Sequence, residues 1–197
     1  MELDRKIDPI ELFGKWFLEA KEKEISDPNA MQIATVSEQG YPSVRTVLLK
    51  DITDGNFIFY TNYESRKAKE ISQTGKAAIC FYWKSLNRQI RVVGEIKKVS
   101  QEVSDIYFQS RSLGSRIGAW ASLQSQPLDN RDTLLKKVDE FKKKFGKNVP
   151  RPEHWGGFKI IPKEFEFWQD GEFRLHDRFI LRPNIGTKLW DCQRHYP

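Results

Sequence analysis

Apolar residues recur along this chain with two different periods. Leu12, Phe13, Trp16, Phe17 and Ala20 fall at the spacing that gathers side chains on one face of a helix. Asp8-Pro9-Ile10-Glu11 precedes them, with Asp as N-cap, Pro at the first helical position and Glu three residues after the cap. Asp27-Pro28-Asn29 stops that helix. The pattern then shortens to that of strands, over residues 31–36, 43–50, 56–61, 76–83 and 88–99. Turns at 38–40, 51–55 and 84–87 separate them, with Gly40 and Gly55 supplying the freedom a hairpin needs. A short helix is expected over 65–73, and helical stretches return near 101–111 and 128–145, with the glycine-containing 112–125 between them. Strands near 157–161, 165–168, 178–181 and 188–193 close the chain, and Asp170-Gly171 turns between the second and third.

Many short strands at turn-sized intervals, not alternating with helices as βαβ units, predict a mainly β, α+β fold: an antiparallel barrel with peripheral helices. No linker divides the chain, so residues 1–197 read as a single domain. There is no G-x-G-x-x-G, no Walker loop, no internal repeat and no low-complexity tract, which disfavours a doubly wound nucleotide fold.

Composition narrows the field without deciding it. Hydrophobic residues make up 39% and charged residues 30% of the 197, a globular mix. No apolar run approaches the roughly 18 residues of a membrane helix; the longest, 77–83, reads as a buried strand. Met1-Glu2-Leu3-Asp4 lacks the basic-then-apolar order of a secretory signal. Two cysteines make neither a disulfide framework nor a metal site, and Cys80 reads as a small core residue, so a reduced, cytoplasmic protein is expected. The formal charge of +6 invites a nucleic-acid reading. Its densest patch, Lys136-Lys137 with Lys142-Lys143-Lys144, flanks the helical stripe Leu134, Val138, Phe141 and Phe145, and so reads as a solvated helix face.

Four clusters carry candidate chemistry. The strand 43–50 places Arg45 and Lys50 in a β-branched run, where a charge needs a partner. Residues 60–67, Tyr-Thr-Asn-Tyr-Glu-Ser-Arg-Lys, end a strand and open a helix, combining free amides with Arg66 and Lys67 as a phosphate site does. Tyr107 and Arg111 are one helical turn apart, and Ser115 follows at a glycine turn, a second candidate phosphate site. After Trp168, the run 174–178 alternates Arg174, His176 and Arg178; on a strand these share one face and repel unless an anion lies between them. His154, His176 and His195 have no metal-ligand spacing, and no nucleophile motif is present. A chain rich in anion-binding groups and poor in nucleophiles leaves the reaction to a bound cofactor.

Arg45-Thr-Val-Leu-Leu-Lys50, Tyr60-Thr61, Ser65-Arg66-Lys67, Arg88-Gln89, Tyr107 with Ser110-Arg111, Ile117-Gly-Ala-Trp120, Gln124-Ser125, Trp155-Gly-Gly-Phe158, Glu166-Phe-Trp168 and Arg174-Leu-His-Asp-Arg178 occur in this order. Together they resemble the pyridoxine/pyridoxamine 5'-phosphate oxidase family. The resemblance implies an FMN-binding split β-barrel, a homodimer with each FMN held between subunits, and a dimerisation and substrate region at about 155–197. The implied activity is oxidation of pyridoxamine 5'-phosphate or pyridoxine 5'-phosphate to pyridoxal 5'-phosphate, with O2 as acceptor, H2O2 as product and NH3 released from the amine. Carried over by position, Arg45, Thr46, Val47, Leu48, Leu49, Lys50, Tyr60, Thr61, Arg66, Lys67, Gln89, Gln124, Ser125, Trp168 and Arg178 would hold FMN. Lys50, Tyr107, Arg111 and Ser115 would grip the substrate phosphate, and Arg174 and His176 would hold its ring against the flavin as the catalytic pair. Neither metal, membrane nor nucleic acid is implied.

Two departures stand out. Family members commonly carry an N-terminal Arg and Tyr that fold over the substrate, whereas Arg5 here has no neighbouring Tyr. The family often ends Arg-Leu-x-Pro, whereas this chain ends Arg194-His195-Tyr196-Pro197. Two other classes compete: a split-barrel carrier of FMN or pyridoxal phosphate without turnover, against which the substrate-side residues argue, and a basic nucleic-acid binder, supported by charge alone.

Overall fold

The computed structural model describes residues 3, 7–187 and 189–197; Arg5 and Lys188 lie outside them. Helix α1 (Pro9–Lys23) starts at its cap, where the Asp8 carboxylate accepts hydrogen bonds from the Ile10 and Glu11 amides. That satisfies two of the donors a helix start leaves free. Its apolar face drives Phe13 into the barrel, edge-on to Phe57 and Phe81 at centroid distances of 4.9 and 5.1 Å.

Among the described residues nine strands form one antiparallel sheet. They are β1 (Ala30–Val36), β2 (Pro42–Leu48), β3 (Asp51–Thr53), β4 (Asn56–Asn62), β5 (Lys76–Trp83), β6 (Arg88–Lys98), β7 (Trp155–Gln169), β8 (Asp177–Pro183) and β9 (Trp190–His195). The path runs β2-β1-β5-β6-β7-β4-β3, with β8 and β9 added beside the far end of β7. Only Leu49 and Lys50 separate β2 from β3. The Leu49 amide donates to Asn29 O and the Lys50 amide to Ile58 O, so one bent segment passes from pairing β1 to pairing β4. That hand-over closes the seven-strand path into a barrel, beside which β9 is left as an edge strand paired only with β8. The aromatic-rich core, including Phe57, Phe59, Phe81, Phe165 and Phe167, is fully buried inside.

Helices α2 (Arg66–Thr74), α3 (Gln101–Ser110), α4 (Leu113–Ala121) and α5 (Arg131–Phe145) lie outside the barrel. A second, smaller core of Phe108, Ile117, Val149 and Trp155 lies beneath α3 to α5. On α5, Leu134, Val138, Phe141 and Phe145 are half-buried and Lys142 to Lys144 exposed, so the lysine run is a solvated face.

Three local expectations need correction. Residues 112–125 contain a full helix, α4, capped by Ser112, which accepts from the Ser115 amide; Ser115 therefore lies in the first turn of a helix, not at a glycine turn. The strands expected at 157–161 and 165–168 are one strand, β7, in which a register shift opposite Val93/Gly94 leaves Lys163 unmatched beside Pro162, a residue that cannot donate to the ladder. Strand β5 is buried on one face only: Ala77, Ile79, Phe81 and Trp83 point inward, while Cys80 is half-buried and Tyr82 exposed. The outward row Val44, Ala34, Ala78 and Val93 runs in register across four strands. Val44 is 66% and Val93 44% exposed, an apolar stripe where a solvated sheet face would be polar.

Replacing Phe13 with Ala is expected to cost about 3–5 kcal/mol in urea unfolding, the range for a fully buried aromatic. Leu18→Ala, on the exposed side of the same helix, is expected to change stability by less than about 0.5 kcal/mol.

Candidate active site

Strands β2 and β4 meet the starts of α2 and α4 around a cleft of about 810 Å³. Its walls carry Arg45, Thr46, Val47, Leu48, Lys50, Tyr60, Thr61, Lys67, Tyr107, Arg111, Ser115, Gln124, Ser125 and Trp155. Leu49 faces the other way, its side chain in the barrel core. Arg66 and Ser125 line an adjoining depression.

Lys67 is the deepest cation. It is 7% exposed, and its Nζ donates to Thr61 Oγ1 at 3.0 Å, Ser65 Oγ at 3.3 Å and Gln124 Oε1 at 3.0 Å. These partners are neutral. Burial, reinforced by the Arg45 charge, pulls the ammonium from its ordinary 10.5 down to about 8. A buried cation held only by neutral oxygens suits an arriving anion.

The opposite wall is aromatic. Tyr60 stacks on Tyr107 with centroids 3.8 Å apart and on Trp155 at 5.6 Å, all nearly parallel. Burial foremost, then neighbouring Tyr107 and Asp51, pushes the Tyr60 phenol up to about 12, so it stays neutral. The stack depends on Gly157 of β7, and the adjacent Gly156 makes room for Tyr63. A Cβ on Gly157 would lie 2.8 Å from Tyr60 Cε1, and one on Gly156 2.2 Å from the Tyr63 hydroxyl. The Arg111 guanidinium lies 4.5 Å from the Trp155 ring centroid, and its buried Nη1 has no hydrogen-bond partner among the described residues. With Ser115 in the first turn of α4, Arg111 forms a second anion-binding corner.

The remaining candidates lie elsewhere. Gln89 pairs with Trp168 and Trp168 with Arg178 in the sheet register, while the His176 ring sits 4.7 Å from that of Trp168. Arg174, His176 and Arg178 do not alternate along one strand. Residues Glu172–Arg174 form a 3-10 turn with Phe173 and Arg174 at φ +56° and +64°, and β8 begins only at Asp177. The hairpin is too tight for a strand: a Cβ on Gly171 would lie 2.3 Å from Leu175 O. The His176 Nδ1 is held by the Gly171 amide, which donates to it at 3.2 Å, and lies 2.9 Å from Asp170 Oδ1. Arg178 is paired with buried Glu166, which also takes Arg91. Burial alone would raise the Glu166 carboxyl, but bonds from Arg178 and Arg91 bring it below its ordinary value. His195, opposite Arg178 in β9, has a buried Nε2 without a hydrogen-bond partner among the described residues. No group of three His, Cys, Asp or Glu side chains among the described residues could hold a metal.

Glu70 escaped the sequence reading, and Asp170 was read there only as a turn residue, not as a partner of His176. Glu70 sits beneath Arg45 and Arg66 and bonds both; the four-residue spacing of Arg66 and Glu70 was its only signal, and that resembles an ordinary surface pair.

A barrel closed in this way, with a cationic and aromatic cleft on its wall, defines the class of FMN-binding split barrels. A solved pyridoxamine 5'-phosphate oxidase-related, FMN-binding protein from Nostoc punctiforme shares this fold, with a TM-score of 0.77 at 19% identity over the whole of both chains. PhzG from Burkholderia lata, solved with tetrahydrophenazine-1-carboxylic acid, superposes with a TM-score of 0.90 at 29% identity, covering 96% of this chain and 93% of its own. Residues 17–145 match the family model described as pyridoxamine 5'-phosphate oxidase, and 155–197 that of the pyridoxine 5'-phosphate oxidase C-terminal dimerisation region. The chain belongs to the pyridoxamine 5'-phosphate oxidase family. Proteins named pyridoxine/pyridoxamine 5'-phosphate oxidase from Allorhizobium ampelinum and a Ruegeria species are 52% and 53% identical to it, each over 96% of this chain and 93% and 94% of their own.

Gly157→Ala is expected to break the Tyr60 stack. The near-ultraviolet circular dichroism of the aromatic wall should change, and overpacking should cost about 1–3 kcal/mol in denaturant unfolding.

Proposed function

We propose that this protein is an FMN-dependent oxidase converting pyridoxamine 5'-phosphate or pyridoxine 5'-phosphate to pyridoxal 5'-phosphate, with O2 as acceptor and H2O2 as product, and NH3 released from the amine. The observation that carries the reading is the pair of separate anion corners in one cleft, Lys67 with Arg45 and Arg111 with Ser115. Two phosphorylated ligands need two such corners.

FMN fits the first. Lys67 is a buried cation among neutral oxygens, and Arg45, Thr61, Gln124 and Ser125 surround it with donors. When bound, FMN supplies the two-electron acceptor for the hydride on the substrate carbon bearing the amine or hydroxyl, and O2 takes the electrons onward. The chain's part is alignment; for the amine, water then hydrolyses the imine, which supplies the aldehyde oxygen and releases NH3. Arg111 Nη1 and Ser115, with Lys50 and Tyr107 beside them, hold the substrate phosphate. The Tyr60-Tyr107-Trp155 stack walls that end of the cleft.

Gln89, Trp168, Arg174, His176 and Arg178 reach the same site from a second copy of the chain. Tyr60 pairs with Gly157 near one end of β7, and Trp168 lies eleven residues further along it. At about 3.3 Å per residue, that is roughly 35 Å of strand. A homodimer places one chain's cleft against the other's β7–β8 hairpin, where Asp170 steadies His176 over the substrate ring. The uncovered row Val44, Ala34, Ala78 and Val93 and the match of 155–197 to a dimerisation region support that arrangement. We read the chain as one domain, since β6 pairs with β7 across both matched regions. No described helix is long and apolar enough to cross a membrane. Free Cys80 and Cys192 suit a reducing compartment, and we place the activity in the cytoplasm.

Purified protein is expected to be yellow, to bleach anaerobically on addition of pyridoxamine 5'-phosphate, and to form peroxide when air returns. A colourless protein that takes up no FMN contradicts the reading; a stable yellow one that never bleaches is a carrier. Arg174→Ala should cripple turnover with FMN still bound, whereas Arg66→Ala should mainly weaken FMN. FMN affinity should also depend on Lys67. Phosphate favours its charged form, so binding takes up a proton above the free value of about 8, and the dissociation constant should rise with pH beyond that point. Titrations from pH 6 to 10 check this, and a flat profile contradicts it.

A further inference from the structure

Arg45 comes from β2 and Arg66 from the start of α2, and both run into one carboxylate. Glu70 is 4% exposed. Its Oε2 accepts from Thr35 Oγ1 at 2.5 Å, Ser43 Oγ at 2.6 Å and Arg45 Nη2 at 3.4 Å, while Oε1 accepts from Arg66 Nε at 2.8 Å. Arg45 is fixed further by Nη1, which donates to Ile33 O and Thr35 Oγ1. Arg66, by contrast, is largely exposed and has this one ion pair among the described residues.

We infer that Glu70 is a positioning residue of the cofactor site, holding the Arg45 and Arg66 guanidiniums at the spacing and orientation that take up the FMN phosphate, without touching FMN itself. The inference rests on the function proposed above. Two guanidiniums converging on one anion repel each other when the site is empty, and Arg66 has the rotamer freedom to swing into solvent. A carboxylate beneath them offsets that repulsion: the Arg45 Nη groups are held by Ile33 O, Thr35, Ser43 and Glu70, and Arg66 is held through Nε, which turns its two Nη groups and the Arg45 Nε–H to the ligand. Burying a carboxylate costs free energy unless its lone pairs are used, and here four donors use them. The same bonds, with the Arg45 charge, overcome the upward push of burial and hold the carboxyl down to about 2, so it is ionised throughout the working range.

The sign of the effect separates positioning from charge. Glu70 is negative and lies near where a phosphate dianion binds, so electrostatics alone predicts tighter FMN binding when its charge is removed. Positioning predicts weaker binding, confined to the phosphate. The test compares FMN and riboflavin, which differ only in that group, by quenching of flavin fluorescence on full-length apoprotein. Glu70→Gln is expected to weaken FMN about 10- to 100-fold, the range for a lost charge-assisted hydrogen bond, and to leave riboflavin unchanged. Ser43→Ala, which keeps the carboxylate but removes one of its anchors, should shift the same ratio in the same direction by a smaller factor, and decides the matter if Glu70→Gln does not fold. Tighter FMN binding, or equal losses for both flavins, overturns the inference. Failure of the wild-type protein to prefer FMN over riboflavin overturns the function on which it rests.

Discussion

The length of β7 governs the molecule. Fifteen residues run as one strand, paired along nearly all of it with β6. Its first part carries β4 and the Gly-Gly pair beneath the aromatic wall, and its last part carries β8 and the Trp168 hairpin. A strand is stiff and extended, so residues at its two ends cannot meet in one chain. Two sets of candidate ligand-binding side chains, distant from each other, are the consequence. A two-fold dimer resolves the separation, because the same operation that brings one cleft to one hairpin also supplies the second pair. On this reading the oligomer is a requirement of the chemistry.

Both sets solve the same electrostatic problem. Cations that await an anion repel each other before it arrives, and each set answers with a buried glutamate. Glu70 holds Arg45 and Arg66; Glu166 holds Arg91 and Arg178. Such a carboxylate uses its lone pairs on the guanidiniums that converge on it and so fixes their positions. Lys67 and Arg111 differ. They lie deeper in the cleft wall and have no carboxylate partner among the described ion pairs, which leaves their charge for whatever enters.

Much of the fold was legible because local chemistry and tertiary structure agree. Asp8 caps α1 as its sequence context demands, and the turns at Gly40 and Gly55 fall at positive φ, where glycine is favoured. Helix α4 was hidden by Gly114 and Gly118, which lower helix propensity, although Ile117 and Ala121 give it a buried face. Pro162 made one strand look like two, because the compensating bulge is set by β6, a partner distant in sequence. The hairpin at 171–176 defeated the alternation rule because Phe173 and Arg174 adopt a left-handed backbone that side-chain spacing does not reveal. In the site, the charged and aromatic cleft residues were visible as clusters and as family motifs. Glu70 was not, since nothing along the helix distinguishes a buried acceptor from a solvated one.

Complementation between two defective chains tests the shared site most directly. One chain carries Lys67→Ala in its cleft and the other Arg174→Ala in its hairpin; each homodimer alone is impaired at both sites. In the mixed dimer both changes fall in one site and the other is intact. Activity should therefore return to about half the wild-type value per mixed dimer, as the two-fold arrangement requires. If mixed dimers form and stay as inactive as the parents, cleft and hairpin serve the same chain, and the account built on β7 is wrong.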